Sequence, residues 1–463
     1  MRRTSALVAC ATAVAAVSLA AWTRVATTPS EAADYSPVSP HWRHLRLHIT
    51  DYRIQYQPRE RRASEYEWVA RHFDRILLDG GDRKSVPEYR RLNRSAEIYR
   101  YALNWTVLRP GEDKREDPSI AYYRQMVDWY ARHREYALED AFLHDRARCG
   151  PAGRKTEACR LTFKIWTQMR WAINPGDPGL RAFQRFRIAA IAADADGLFI
   201  DEHSSGDIRG KLEPGRMLEY ADWSSYERDM VTLLGELRAS VGPRKRLMVN
   251  THTYLTPFDS QMAVAAGGAH LEDFNSPFFA EMEKRWRFAE SLIAAGAALT
   301  VSPVEPDATP REYTAGNSAS PLHRRRLWEL ASFYLVAPRQ VGLVAFSSGA
   351  KWKWPFPDQW WGAVATDVGR PTGARRVFAE GRDPTGRRYR VWAREYERAL
   401  VLVRPVLDWG RPEFGDESAV QVRVPSGPRT RPLSADGRVG PQVTRIPLRV
   451  GEAAILVSER GTR

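Results

Sequence analysis

The chain has 463 residues, 43% of them hydrophobic, and carries a formal charge of +14. That length exceeds one ordinary domain and the apolar content can fill a large core. A wholly disordered chain or a solenoid is therefore excluded, and a barrel of roughly 250–350 residues with a smaller module fits. Most of the positive charge is arginine interleaved with acids, not a basic stripe or a recognisable module, which argues against a nucleic-acid partner; an arginine-rich background explains it before an anionic polymer does.

The N-terminus reads as an export segment. Arg2 and Arg3 precede a small, apolar run from Leu7 to Ala21, and Pro29, Ser30 and Glu31 follow. The run is short for a spanning helix, so residues 1–28 are expected to be a signal peptide or an uncleaved membrane anchor, with 29–41 as a linker. The expected localisation is secreted, periplasmic or envelope-associated, with a membrane tether if the segment is retained. Leu7-Val8-Ala9-Cys10 resembles a lipoprotein box but lies too early, because the apolar run continues past Cys10.

From residue 42 to 362, apolar runs alternate with helical patterns. The strands fall at Leu45–Ile49, Arg75–Asp79, Ile98–Asn104, Leu198–Asp201, Arg246–Asn250, Ala269–Glu272, Ala297–Ser302 and Val341–Ser347. Helical spacing covers Ser64–Phe73, Ile120–His133, Leu180–Ala192, Ser225–Ser240, Phe279–Ala294 and Pro321–Val336. Asp177-Pro178 supplies a helix start, with Asp as N-cap and Pro at the first helical position. This alternation predicts a (β/α)8 TIM barrel of the α/β class. The stretch from Asn104 to Trp171 is long for one crossover and reads as a helix plus an excursion over the barrel mouth. Inside it, Cys149 and Cys159 are expected to form a loop-closing disulfide in an oxidising compartment.

Beyond residue 363, short alternating segments separated by Pro and Gly predict an antiparallel β-sandwich through 463. Between the two domains stands a dense aromatic run, Lys351 to Pro357 and then Trp360-Trp361. It reads as an apolar seam before it reads as a sugar platform.

Two strand ends deliver paired acids, Asp201-Glu202 and Glu272-Asp273. In a barrel all strands point into one mouth, where chemistry sits, and cleavage of a glycosidic bond needs two carboxyl groups across it. Side-chain alternation turns one member of each pair inward, and Asp201 with Glu272 is the expected catalytic pair. Asp51, Asp79, Asn104, Trp105, Glu202, His203, Asn250, His252, Asp273 and Glu305 are the substrate-binding candidates at the other strand ends. Trp105 either stacks on a pyranose or packs a loop, and His203 and His252 either assist proton transfer or bond locally. No metal site and no cofactor are expected: clustered ligands, a phosphate-cradling loop, a dinucleotide fingerprint and a Gly-x-Ser-x-Gly elbow are missing from the sequence.

Asn174-Pro175, the following helix and Asp196-Gly197-Leu198-Phe199-Ile200-Asp201 resemble the signature of a glycoside hydrolase-like TIM-barrel family. That family is distantly similar to dextranases, α-galactosidases and polygalactosaminidases. Leu271-Glu272-Asp273-Phe274 matches its sixth-strand acidic motif, and the segments around Gly369-Arg370-Pro371, Tyr389–Val403 and Gly451–Val457 resemble its C-terminal β-domain. The resemblance implies an exported glycoside hydrolase acting on a poly- or oligosaccharide with a retaining mechanism, Asp201 as nucleophile and Glu272 as general acid/base. Departures from the pattern are the second acid after Asp201 and the long insertion before the fourth strand. The competing reading is a catalytically inactive carbohydrate-binding or envelope-assembly protein on the same scaffold.

Overall fold

The computed structural model describes residues 45–51, 60–110, 118–165, 168–203, 205–251, 255–272, 274, 282–302, 321–337, 344–347, 360–405 and 418–458. The expected signal or anchor, the linker and the Lys351–Pro357 run lie outside the described residues. Among the described residues, no helix is long and apolar enough to cross a membrane.

Eight parallel strands close into a barrel: Arg46–Asp51, Arg75–Leu78, Glu97–Leu103, Gly197–Asp201, Arg246–Asn250, Gly268–Leu271, Ala298–Val301 and Val344–Ser347. Each expected strand forms within a few residues of its predicted bounds. The first and eighth pair through Arg46↔Ala345 and His48↔Ser347, which completes the ring. Helices follow the strands on the outside, among them Ala63–His72, Pro178–Ala192, Trp223–Val241, Met282–Ala294 and Pro321–Val336. Asp177 caps the second of these as expected, its carboxylate accepting from Leu180 N at 2.6 Å ahead of Pro178.

Alternation along the strands separates two apolar layers. Leu47, Ile49, Ile76, Leu78, Ile98, Leu198, Ile200, Leu247 and Val249 face the helices, whereas Leu77, Tyr99, Phe199, Met248 and Ala298 fill the barrel interior. Gly197 has to be glycine, because a Cβ there would stand 2.6 Å from the Tyr99 ring.

Charge closes the floor. Glu97 lies between Arg46 at 2.6 Å and Arg75 at 2.8 Å, all three buried. Arg75 also donates to Thr300 Oγ1 of the seventh strand at 2.6 Å. Burial opposes the Glu97 charge, but Arg75 and Arg46 outweigh it and hold the carboxyl at about 2.

The excursion between the third and fourth strands contains the helix Pro118–Arg132 and a three-stranded antiparallel sheet of Thr106–Leu108, Thr162–Ile165 and Gln168–Ala172. Cys149 and Cys159 are joined, with Cα atoms 5.2 Å apart.

The C-terminal domain is a sandwich of antiparallel sheets. Arg376–Arg382, Arg388–Glu395, Ala399–Arg404, Glu452–Val457 and Arg431–Pro432 make one sheet, and Val420–Arg423 with Arg445–Leu448 make the other. Val391, Ala393, Leu402, Val422 and Leu456 pack between them. The opposite face of the larger sheet, with Val401, Val403, Ile455 and Val457, joins the barrel core. Arg394 and Tyr396 donate to Tyr334 O and Leu335 O at 2.6–3.2 Å, capping the last turn of the helix Pro321–Val336. Trp361 is buried beside Arg326 of that helix.

Glu97→Gln should cost about 3–5 kcal/mol at pH 7, because it strands two buried guanidinium groups. The folded carboxyl titrates at about 2 and the unfolded one near ~4.3, so its stabilisation is complete above the higher value and disappears as pH falls through the lower. Urea denaturation across a pH series should show wild type and variant converging in acid; a constant gap would refute the charge assignment.

Candidate active site at the barrel mouth

Three consecutive barrel strands bring the site together. Strand pairing sets Leu103 beside Asp201 and Asn250 beside His270. By inward parity with Phe199 and Met248, Asp201 and Asn250 face the interior, and Glu272 continues that parity two residues past His270.

The geometry turns on Asn250, which is buried. Its Nδ2 lies 2.8 Å from Asp201 Oδ1 and 2.8 Å from Glu272 Oε2. Carboxylates only accept, so the amide must present its nitrogen to both. One nitrogen shared in this way keeps the two carboxylate oxygens no further apart than twice 2.8 Å. Asp201 is held further by Tyr101, whose hydroxyl donates to Oδ2 at 2.9 Å, and by the Glu202 backbone N–H, which donates to Oδ1 at 2.8 Å. These described partners, Asn250, Tyr101 and the Glu202 N–H, are donors, which suits an ionised carboxylate.

Beneath the pair, His270 bonds Ser302 through Nε2 at 2.9 Å and sets its ring edge-on to Phe199 and His48. Burial, with His270 and Arg75 adding to it, pushes His48 well below the usual imidazole range, so its ring is neutral. His203 is fully buried and burial lowers it to about 4, against the opposing pull of the Asp201 carbonyl. Its Nδ1 donates to Asp201 O at 3.0 Å and its Nε2 faces Asn104 Nδ2 at 3.4 Å. A neutral ring held in this way orients the loop and takes up no second proton at ordinary pH.

Other expected binding residues stand elsewhere. Asp51 has outward parity with Leu47 and Ile49, is fully buried, and is taken by Arg61 and by Tyr89 OH at 2.8 Å. This corrects its expected place at the mouth, because a charge on the helix side of the sheet needs an internal counter-ion. Trp105 is corrected too: it is fully buried and stacks on Phe163 of the excursion sheet at 5.2 Å, so it packs a loop and offers no face to a sugar. Asn104 also has outward parity, and its carbonyl accepts from Tyr122 and Gln184 at 3.1 Å. Asp79 is buried just past the second strand. Glu202 turns away from the pair to Arg170 at 2.6 Å. His252, Asp273 and Glu305 lie outside the described residues. Sequence reasoning passed over Tyr101 and His270, although both carry the inward parity that marked Asp201. Among the described residues no cluster of three or more His, Cys, Asp or Glu is arranged to hold a metal.

No protein-family model matches the sequence, and no curated protein matches it. Solved structures similar in fold include the glycoside hydrolase domain of PelA from Pseudomonas aeruginosa, at 14% identity over 58% of this chain and 86% of that one, TM-score 0.36. An α-amylase from Malbranchea cinnamomea matches at 9% identity over 90% of this chain and 97% of that one, TM-score 0.42. A trehalose-6-phosphate hydrolase from Bacillus licheniformis matches at 8% identity over 85% and 94%, TM-score 0.45. Likenesses this distant add nothing to the strand pairing already described, and no residue role is transferred from them.

Asn250→Leu removes the shared donor at similar volume and leaves two carboxylates facing each other. We expect a loss of about 1–3 kcal/mol at pH 7. Unchanged stability in the variant, read by urea denaturation, would refute the shared-donor geometry.

Proposed function

We propose that this protein is a glycoside hydrolase that cleaves O-glycosidic bonds of a poly- or oligosaccharide with retention of configuration. The observation that carries the reading is the single Asn250 nitrogen at 2.8 Å from both Asp201 and Glu272. Retaining enzymes keep their carboxyl groups about 5–5.5 Å apart, whereas inverting enzymes need ~6.5–9.5 Å to admit a water between them. The two oxygens that share the donor lie within a bound closer to the retaining separation, which supports the retaining reading.

In the proposed reaction an Asp201 carboxylate oxygen attacks the anomeric carbon. The bond from that carbon to the leaving oxygen breaks as Glu272 gives its proton to that oxygen. A water then attacks the glycosyl ester, Glu272 takes its proton back, and Asp201 is released. Tyr101 and the Glu202 N–H hold the attacking carboxylate in line, which is where much of the rate in such reactions originates. Export is part of the same proposal: the N-terminal pattern is that of a secretory segment, and a disulfide such as Cys149–Cys159 persists in oxidising compartments.

The test is a panel of polysaccharides and nitrophenyl glycosides offered to the purified protein. On any cleaved substrate, Asp201→Asn and Glu272→Gln should each lower kcat by about 10²–10⁴-fold or more with folding intact. NMR of the first-formed product should show the anomer of the substrate. Full activity in either variant would reject the assignment of the pair, and an inverted product would reject the retaining mechanism. Binding without turnover across the panel would favour a carbohydrate-binding protein.

A further inference from the structure

Glu202 directly follows Asp201 and has φ +59°, in the left-handed region that side chains other than glycine rarely occupy. Such a conformation persists where its surroundings enforce it. Among the described residues Arg170 holds the Glu202 side chain: Nη1 lies 2.6 Å from Glu202 Oε2 with both side chains largely buried. Arg170 is itself rigid. It sits on the central strand of the excursion sheet, paired with Leu108 on one side and Phe163 on the other. Its guanidinium also donates to Gln168 Oε1 at 2.8 Å and Thr106 Oγ1 at 3.3 Å. The turn has a second consequence: the Glu202 N–H meets Asp201 Oδ1 at 2.8 Å. With the chain anchored on either side, an ordinary φ at 202 requires a compensating change of ψ at Asp201, which rotates that peptide away.

We propose that Glu202 and Arg170 are positioning residues for Asp201: the excursion sheet, through one ion pair, holds the following peptide in a left-handed turn and so aims its N–H at the attacking carboxylate. Neither side chain needs to touch substrate. The long insertion before the fourth strand then has a catalytic purpose beyond covering the mouth. This inference rests on the hydrolase reading for its effect on rate, but not for its effect on the loop.

The test compares substitutions that separate backbone from carboxylate. Glu202→Gly loses the ion pair but adopts positive φ freely; Glu202→Ala loses the ion pair and keeps a Cβ. On the nitrophenyl glycoside that wild type turns over best, Glu202→Ala and Arg170→Met should lower kcat about 100-fold with KM within roughly twofold, as a misaligned reacting group does. Glu202→Gly should recover about tenfold of that loss. Equal impairment in the Gly and Ala variants, or a loss confined to KM, would overturn the proposal, since a direct substrate contact predicts either. Independently of turnover, hydrogen exchange of the residue 202 amide should be slow in wild type and faster in Glu202→Ala and Arg170→Met, while the barrel strands stay protected. Unchanged protection there would also overturn it. A wild type that cleaves nothing in the panel, but shows the expected exchange pattern, supports the clamp and rejects the hydrolase reading alone.

Discussion

The Asn250 amide has one nitrogen to offer, and two carboxylates compete for it at 2.8 Å each. Left to themselves, two such groups at a barrel mouth would turn toward solvent and away from one another. A shared donor on the strand between them converts mutual repulsion into a fixed separation. Three adjacent strands supply the parts, and their pairing fixes which side chains point inward. Closure of the barrel is thus a precondition of the site: without it the fourth, fifth and sixth strands would have no common interior to address.

Below the mouth, the interior is arranged in tiers that favour different protonation states. The floor is charged, with Glu97 held ionised by Arg75 and Arg46. The middle is apolar and aromatic, with Tyr99, Phe199 and Met248. His48 and His270 stand between this layer and the carboxylates, and burial keeps His48 uncharged. Among the described residues, the charged floor is thus separated from the carboxylate pair by the apolar layer and the imidazoles.

Much of this was legible in the sequence because strands buried on both faces read as apolar runs. All eight barrel strands could be read that way, whereas the Asp177 cap came from an Asp-Pro pair, the disulfide from two nearby cysteines and the sandwich from short alternating segments. Asp201 and Glu272 were singled out by their places at acidic strand ends, with alternation choosing one member of each pair; that Asn250 stands between them was not anticipated. Alternation applied to every strand would also have flagged Tyr101 and His270, and would have turned Asp51 to the helix side. Three of the described α-helices escaped, Ser85–Leu92, Pro257–Ala266 and the five-residue Ser205–Arg209. The second nonetheless announces itself: Thr256 and Asp259 form a capping box around Pro257. What local pattern does not reveal is tertiary. Arg61 reaching Asp51, Phe163 covering Trp105 and Arg170 claiming Glu202 join residues from separate segments, and no periodicity encodes them.

The helix that precedes the eighth barrel strand ends on carbonyl groups satisfied by Arg394 and Tyr396 from the sandwich. Its flank is covered by the larger sheet of that domain. The C-terminal module is consequently no detachable appendage hung on an autonomous enzyme. It completes the wall it leans on, so a fragment cut between the two would expose an uncapped, greasy helix, and recombining this barrel with a foreign accessory domain would require the newcomer to provide the same two donors.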